Sequence, residues 1–208
     1  MTLPGSVAPL VSLLLCFALV APLPALADAV DNAAKLYQEG NDGDALERIE
    51  AYLVDHPKDP RARFLKAQLL TEKGEADQAI ALYTLIIEEY PELAEPYNNL
   101  AVIYAQQGRY ELARSYLEQA VQAFPEYSVG LENLGDVYVK LAEASYRDAA
   151  QYDKSSSGLK TKLTTLAQLL PEKPQAPVFR TPLPPKSVPA KKKKGGSPIA
   201  APVPPLAQ

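Results

Sequence analysis

The sequence predicts an all-α fold, a solenoid of stacked helix-turn-helix hairpins, and three observations carry that prediction. First, Ala33, Ala67 and Ala101 recur every 34 residues, as do Gly40, Gly74 and Gly108, and Pro57, Pro91 and Pro125. Against ordinary usage of about 7% Gly and 5% Pro, the glycine and proline coincidences alone have a chance of roughly one in 10⁵. A fixed period of this length marks a repeat architecture. Second, apolar residues between these markers fall at helical spacing: Leu100, Ala101 and Tyr104 on one stripe, then Tyr110, Ala113, Leu117 and Ala120 on the next. Third, each glycine lies between two such stripes and each proline after the second, where a helix must end. Units of this kind stack into a long surface, not a closed pocket.

The elements follow in chain order. Residues 1–27 carry no charged side chain, and residues 10–20 are apolar apart from Ser12. Pro22 and Pro24 stop the run, and Ala25-Leu26-Ala27 precedes Asp28. An apolar stretch, helix breakers and an A-x-A site read as a cleaved secretory signal peptide with its cut after Ala27. The run is too short to span a bilayer, which takes about 20 apolar residues. The expected location is therefore exported and, in a bacterium, periplasmic. Residues 1–9 hold no Lys or Arg, which leaves an uncleaved membrane anchor as the alternative. Cys16 is the only cysteine. Leu15 stands where a lipoprotein signal has a small residue, which argues against lipidation. A mature chain starting at Asp28 would have no cysteine, hence no disulfide and no cysteine metal site.

Three repeats come next, residues 26–59, 60–93 and 94–127. The recurring columns hold Ala33, Leu36, Gly40, Ala45, Ile49, Tyr52 and Pro57 in the first. They hold Ala67, Leu70, Gly74, Ala79, Tyr83, Ile86 and Pro91 in the second, and Ala101, Tyr104, Gly108, Ala113, Leu117, Ala120 and Pro125 in the third. Glycine past a helix end adopts the left-handed conformation without Cβ strain. Proline cannot continue a helix and pushes the preceding residue, Phe124 in the third repeat, out of the α region. Alanines at the crossing points let two helices approach closely; a larger side chain there would overpack the contact at about 1–3 kcal/mol. Asp59-Pro60 reads as an N-cap followed by proline at the first helical position.

This order of small residue, aromatic, Gly, Ala, aromatic or Leu, Ala and Pro over 34 residues resembles the tetratricopeptide repeat. The resemblance covers three full repeats, and a fourth begins at Ser128. The Trp often found in the family's first helix is replaced by Arg63 and Tyr97.

The fourth unit, residues 128–153, departs from the pattern. Leu134, Gly135 and Tyr138 fit a first helix, but Ala142 stands where glycine is expected. Ala142, Tyr146 and Ala149 repeat the spacing of Ala113, Leu117 and Ala120, which implies a deletion of the turn. One long or kinked helix over 134–153 is favoured over a shortened hairpin. Leu159, Leu163, Leu166 and Leu170 mark a last amphipathic helix over 157–170, placed to cap the final apolar face. Residues 171–208 hold 11 of the 20 prolines and the run Lys191-Lys192-Lys193-Lys194. They read as a disordered or polyproline-II tail.

Charge divides the chain in the same place. Residues 28–153 carry 24 acidic and 11 basic side chains, a net −13, whereas residues 154–208 carry one acid and 10 bases, a net +9. An acidic body repels phosphate, which excludes nucleic acid as the main partner. The four tail lysines could contact a polyanionic membrane or cell wall, each contributing about 1 kcal/mol near an anionic surface. No nucleophile–base, phosphate-loop or zinc-ligand spacing occurs. The single histidine, His56, lies in the turn before Pro57. The chain is read as no enzyme, with no catalytic residue, metal or cofactor.

The resemblance implies that the first helix of each repeat lines a groove that takes a peptide or helix of a partner protein. Its expected residues are Tyr37 and Gln38; Arg61, Phe64, Gln68 and Glu72; Glu95, Asn98, Val102 and Gln106; and Glu132 and Asp136 of the fourth unit. Phe64 and Val102 are the apolar anchors. The groove columns lack the cations needed to grip a C-terminal carboxylate. The implied function is a scaffold for protein partners in envelope assembly or maturation, as a monomer or weak homo-oligomer. An envelope tether working through the basic tail, or an accessory subunit of an enzyme complex, remain as alternatives.

Overall fold

The computed structural model describes residues 24–169 and 183–184. Among these residues there are eight helices and no strand: α1 (Pro24–Gln38), α2 (Asp42–Asp55), α3 (Pro60–Glu72), α4 (Ala76–Glu89), α5 (Ala94–Gln106), α6 (Tyr110–Ala123), α7 (Ser128–Tyr152) and α8 (Ser157–Leu169). Helices α1 and α2, α3 and α4, and α5 and α6 pack as hairpins; α2 meets α3, α4 meets α5, and α6 meets α7. Direct α1–α3 and α5–α7 contacts put the first helices of the units on one shared face. The fold is the all-α hairpin solenoid that the 34-residue period predicts.

Each hairpin turns on a glycine with positive φ: Gly40 at 82°, Gly74 at 79° and Gly108 at 73°. The residue after each glycine returns its N–H to the carbonyl five residues back: Asn41 to Leu36, Glu75 to Leu70 and Arg109 to Tyr104, each at 2.9 Å. The glycine N–H bonds three residues back, to Tyr37, Thr71 and Ala105. Together these satisfy the last carbonyls of α1, α3 and α5. At the joints between hairpins the proline turns recur, and the joint before α3 is the best tied. Asp59 Oδ1 accepts from the N–H groups of Arg61 (2.8 Å) and Ala62 (3.1 Å), and Oδ2 accepts from the Tyr52 hydroxyl at 2.9 Å. Arg63 donates to the Pro57 carbonyl at 2.6 Å and pairs with Glu89 at 2.8 Å, holding the first hairpin to the second.

The alanine columns are the contact points. Ala33, Ala67, Ala101, Ala45, Ala79 and Ala113 are all fully buried. Two clusters of buried side chains form the core. One joins α1, α2 and α3 through Val30, Ile49 and Leu65; the other joins α3 to α7 through Phe64, Tyr83, Leu100 and Leu117. The fourth unit is different. Residues 128–152 form one helix of 25 residues, so the turn is absent, and only Gly130 and Val137 are buried along it. Helix α8 packs on α7 but buries no residue completely. Its stripe of Leu159, Leu163 and Leu166 is half-buried, and the Lys162 ammonium sits 4.8 Å from the Tyr146 ring centroid.

Two expectations fall largely outside the described residues. The signal peptide lies mostly within 1–23, and α1 begins at Pro24, so the expected cut after Ala27 falls in its first turn. Of the tail, only Leu183 and Pro184 are described, and the expectation of a disordered or polyproline-II segment over 171–208 otherwise lies outside the described residues. Leu183 is half-buried against both core clusters, and Pro184 is buried. No helix among the described residues is long and apolar enough to cross a membrane.

Candidate functional site: the face of the first helices

Arg61 organises this face. The cap at Asp59 fixes the start of α3 and places Arg61 in its first turn. The guanidinium is split between two acceptors. Nη2 donates to Asp31 Oδ1 on α1 at 2.7 Å, and Nε donates to the main-chain carbonyl of Pro184 at 3.0 Å. Only 12% of the Arg61 side chain is exposed. Bonds from a fixed, permanently charged fork are the stronger kind. The face therefore binds a main-chain carbonyl of a non-helical segment, with a leucine side chain beside it.

Below Arg61 the helix faces are closed. Phe64 is fully buried, its ring edge-on to Tyr83 at 5.6 Å. The Tyr37 hydroxyl donates to Glu72 Oε1 at 3.4 Å, linking α1 to α3. A buried amide chain crosses from α4 to α7: Asn99 donates to the Tyr83 hydroxyl at 3.1 Å, Asn98 to Asn99 at 3.3 Å, and Asn133 to Asn98 at 2.7 Å. Buried polar groups are tolerated when paired in this way. Burial pushes the Tyr83 phenol far above its ordinary range, so it stays a neutral hydroxyl in this chain. Towards α7 the face becomes acidic. Partial desolvation, reinforced by the neighbouring Glu132, raises the Asp136 carboxyl above its usual value.

These positions divide the expected groove residues. Gln38, Glu72, Gln106, Glu132 and Asp136 are exposed, and Arg61 and Glu95 are half-buried. Tyr37, Phe64, Gln68, Asn98 and Val102 are buried, at 0–8% exposure. Their expected exposure is corrected: Phe64 belongs to the core with Tyr83, and Asn98 to the amide chain. Phe64 and Val102 are thus core residues in this arrangement, not open anchors. Sequence reasoning missed the role of Asn133 and the seat of Leu183 and Pro184. Asn99 and Asn133 are one period apart, which is the signal that could have joined them. Lys191 to Lys194 lie outside the described residues. Among the described residues no cluster of His, Cys, Asp or Glu could hold a metal ion.

Comparison with known proteins agrees with the geometry. Residues 30–94 and 92–157 each match a family described as tetratricopeptide repeat. The human Protein O-mannosyl-transferase TMTC1 is 34% identical over 101 residues, but the match spans 47% of this chain and only 11% of that protein. The uncharacterized protein ycf37 of Pyropia yezoensis is 30% identical over 122 residues, covering 52% of this chain and 68% of that one. Among solved structures, pilF of Pseudomonas aeruginosa superposes with a TM-score of 0.54 at 22% identity, over 70% of this chain and 69% of that one. At that identity the likeness is one of fold.

Proposed function

The chain belongs to the tetratricopeptide repeat family, and from that premise we propose a non-catalytic scaffold that holds a short segment of a partner protein on the face of its first helices. Its fold is that of a protein–protein interaction scaffold. The observation that carries the finer reading is the bond from Arg61 Nε to a main-chain carbonyl of a non-helical segment lying on that face. Helices already stacked lower the ordering cost of association. Mannosyl transfer is a property of the matched human protein, and an 11% share of its length does not bring it here.

The same proposal places the protein in the cell envelope, on the strength of the apolar leader and the A-x-A site before Asp28. A mature N-terminus at Asp28 by mass spectrometry is the expected result; a chain that keeps Met1 and stays in the cytoplasm overturns the location.

The binding face is tested by photocrosslinking in intact cells. A crosslinkable residue at Glu72 or Gln106, both exposed on first helices, should give a discrete partner adduct. The same probe at Val54, 78% exposed on α2, should give none. Adducts from Val54 alone would move the interface to the second helices and end the proposal.

A further inference from the structure

We propose that residues 183–184 of the chain's own C-terminal region are a built-in ligand of the first-helix face, which a partner must displace. The inference rests on that face being the partner site and adds what occupies it and what chemistry it selects.

Three observations converge on the seat. Leu183 packs against both core clusters at once, the one joining α1 to α3 and the one joining α3 to α7. Pro184 is buried. Its carbonyl takes the Nε arm of Arg61, whose other arm is fixed by Asp31 at 2.7 Å. Proline has no N–H to leave unsatisfied on burial, so the carbonyl is the only main-chain group at that residue that needs a partner. The sequence around the seat is Thr181-Pro182-Leu183-Pro184-Pro185-Lys186. Prolines restrict φ in advance and so reduce the entropy lost on docking.

Charge favours the same pairing. The seat belongs to the acidic part of the chain, net −13, and the segment to the basic part, net +9, in whose sequence Arg180 and Lys186 flank Leu183-Pro184. Reach permits it within one molecule. Thirteen residues separate Leu169 from Leu183, and such a connection spans up to about 45–50 Å at 3.3–3.6 Å per residue. The path from α8 through α7, α5 and α4 to α3 is roughly 32–40 Å at 8–10 Å per packed helix.

The selected ligand class follows. The face takes a Leu-Pro segment of basic sequence, with the leucine against the clusters and the proline carbonyl on Arg61. A short tether gives a local concentration on the order of millimolar. A free segment of the same type binding at about 0.1 mM would then see its affinity lowered about tenfold by the resident one.

The test uses a fluorescent peptide of residues 178–188, followed by anisotropy on the full chain and on the full chain carrying Leu183→Asp. Leu183 lies outside all eight helices, so the variant keeps the fold, which a thermal melt checks. The peptide should bind Leu183→Asp about tenfold more tightly than the unmodified chain. Adding Arg61→Gln should remove most of that gain. Equal binding to both proteins means the seat is not held from within, and overturns the inference. Binding to neither also overturns it. Dimers in sedimentation that dissociate with Leu183→Asp would place the segment on a second copy and overturn the intramolecular assignment. If the Glu72 and Gln106 crosslinks form while the peptide binds neither protein, only this inference falls. If the peptide behaves as expected and the crosslinks fail, the partner-site reading falls and displacement by a partner with it, while the internal seat stands.

Discussion

Leu100 and Leu134 occupy the same column, one 34-residue period apart, yet they live in different surroundings. Leu100 on α5 is fully buried, whereas Leu134 on α7 is half-buried. Tyr104 and Tyr138 show the same split, at 8% and 46% exposure. In the third repeat Gly108 reverses the chain and α6 folds back over α5; in the fourth unit α7 continues without a turn, and among the described residues only α8 returns, with Lys162 against Tyr146. Burial at a given column thus depends on the second helix as much as on the residue. The hairpin is the packing unit, and the glycine turn, present after α5 and deleted in α7, is what closes it.

The largest effect should separate these two environments directly. Leu100→Ala should cost about 2–5 kcal/mol, the range for a buried leucine that leaves a cavity. Leu134→Ala should cost about 1 kcal/mol or less, because its surroundings are already partly solvated. Urea unfolding measures both. Equal losses would show that α7 is as tightly held as the repeats before it.

This contrast also marks what was legible in the sequence. The Ala, Gly and Pro columns announced the hairpins because each performs a local backbone or packing task that recurs with the repeat. The missing glycine at Ala142 and the deleted turn favoured a long or kinked helix over a shortened hairpin for the same reason. The seat of Leu183 and Pro184 was not legible: two residues among many prolines have no period, and the bond to Arg61 spans 123 positions. Nor could columns show that Phe64, Gln68 and Val102 are covered. A column gives the face of a helix, and what lies against that face is settled by distant chain.

A second pair of substitutions sharpens the comparison by changing sign. Gly108 has φ of 73°, and a Cβ there would meet nothing within 4 Å. The cost of Gly108→Ala is therefore conformational, about 1–2 kcal/mol for a left-handed residue. Gly135 lies within α7, also with nothing within 4 Å of an added Cβ. Gly135→Ala should stabilise by about 0.5–1 kcal/mol through helix propensity and a less flexible unfolded chain. Opposite shifts in the urea midpoint are expected. A loss at both positions would mean that α7 bends or turns at Gly135 in solution.

The smallest effect distinguishes two joints of the solenoid, one before α3 and one before α7. Burial pushes the Tyr52 phenol up to about 12, and its hydrogen bond to the Asp59 carboxylate adds to the shift. The Tyr127 phenol also reaches about 12, through burial and the nearby charge of Glu95. In both cases the folded state keeps its proton after the unfolded chain, at its ordinary value of about 10, has lost it. The stability is thus fully present below pH 10 and declines as pH rises towards about 12. Phenylalanine at either position should make that decline shallower. Only Tyr52→Phe should also lower stability at pH 7, by about 0.5–1 kcal/mol for one lost, partly exposed hydrogen bond. The difference follows from the Asp59 cap, which ties the first two hairpins through a tyrosine hydroxyl, whereas Tyr127, the residue that precedes α7, makes no side-chain cap bond. Tyr127→Phe matching the neutral-pH loss of Tyr52→Phe would make the two joints alike and remove the Asp59 cap as the source of the contrast.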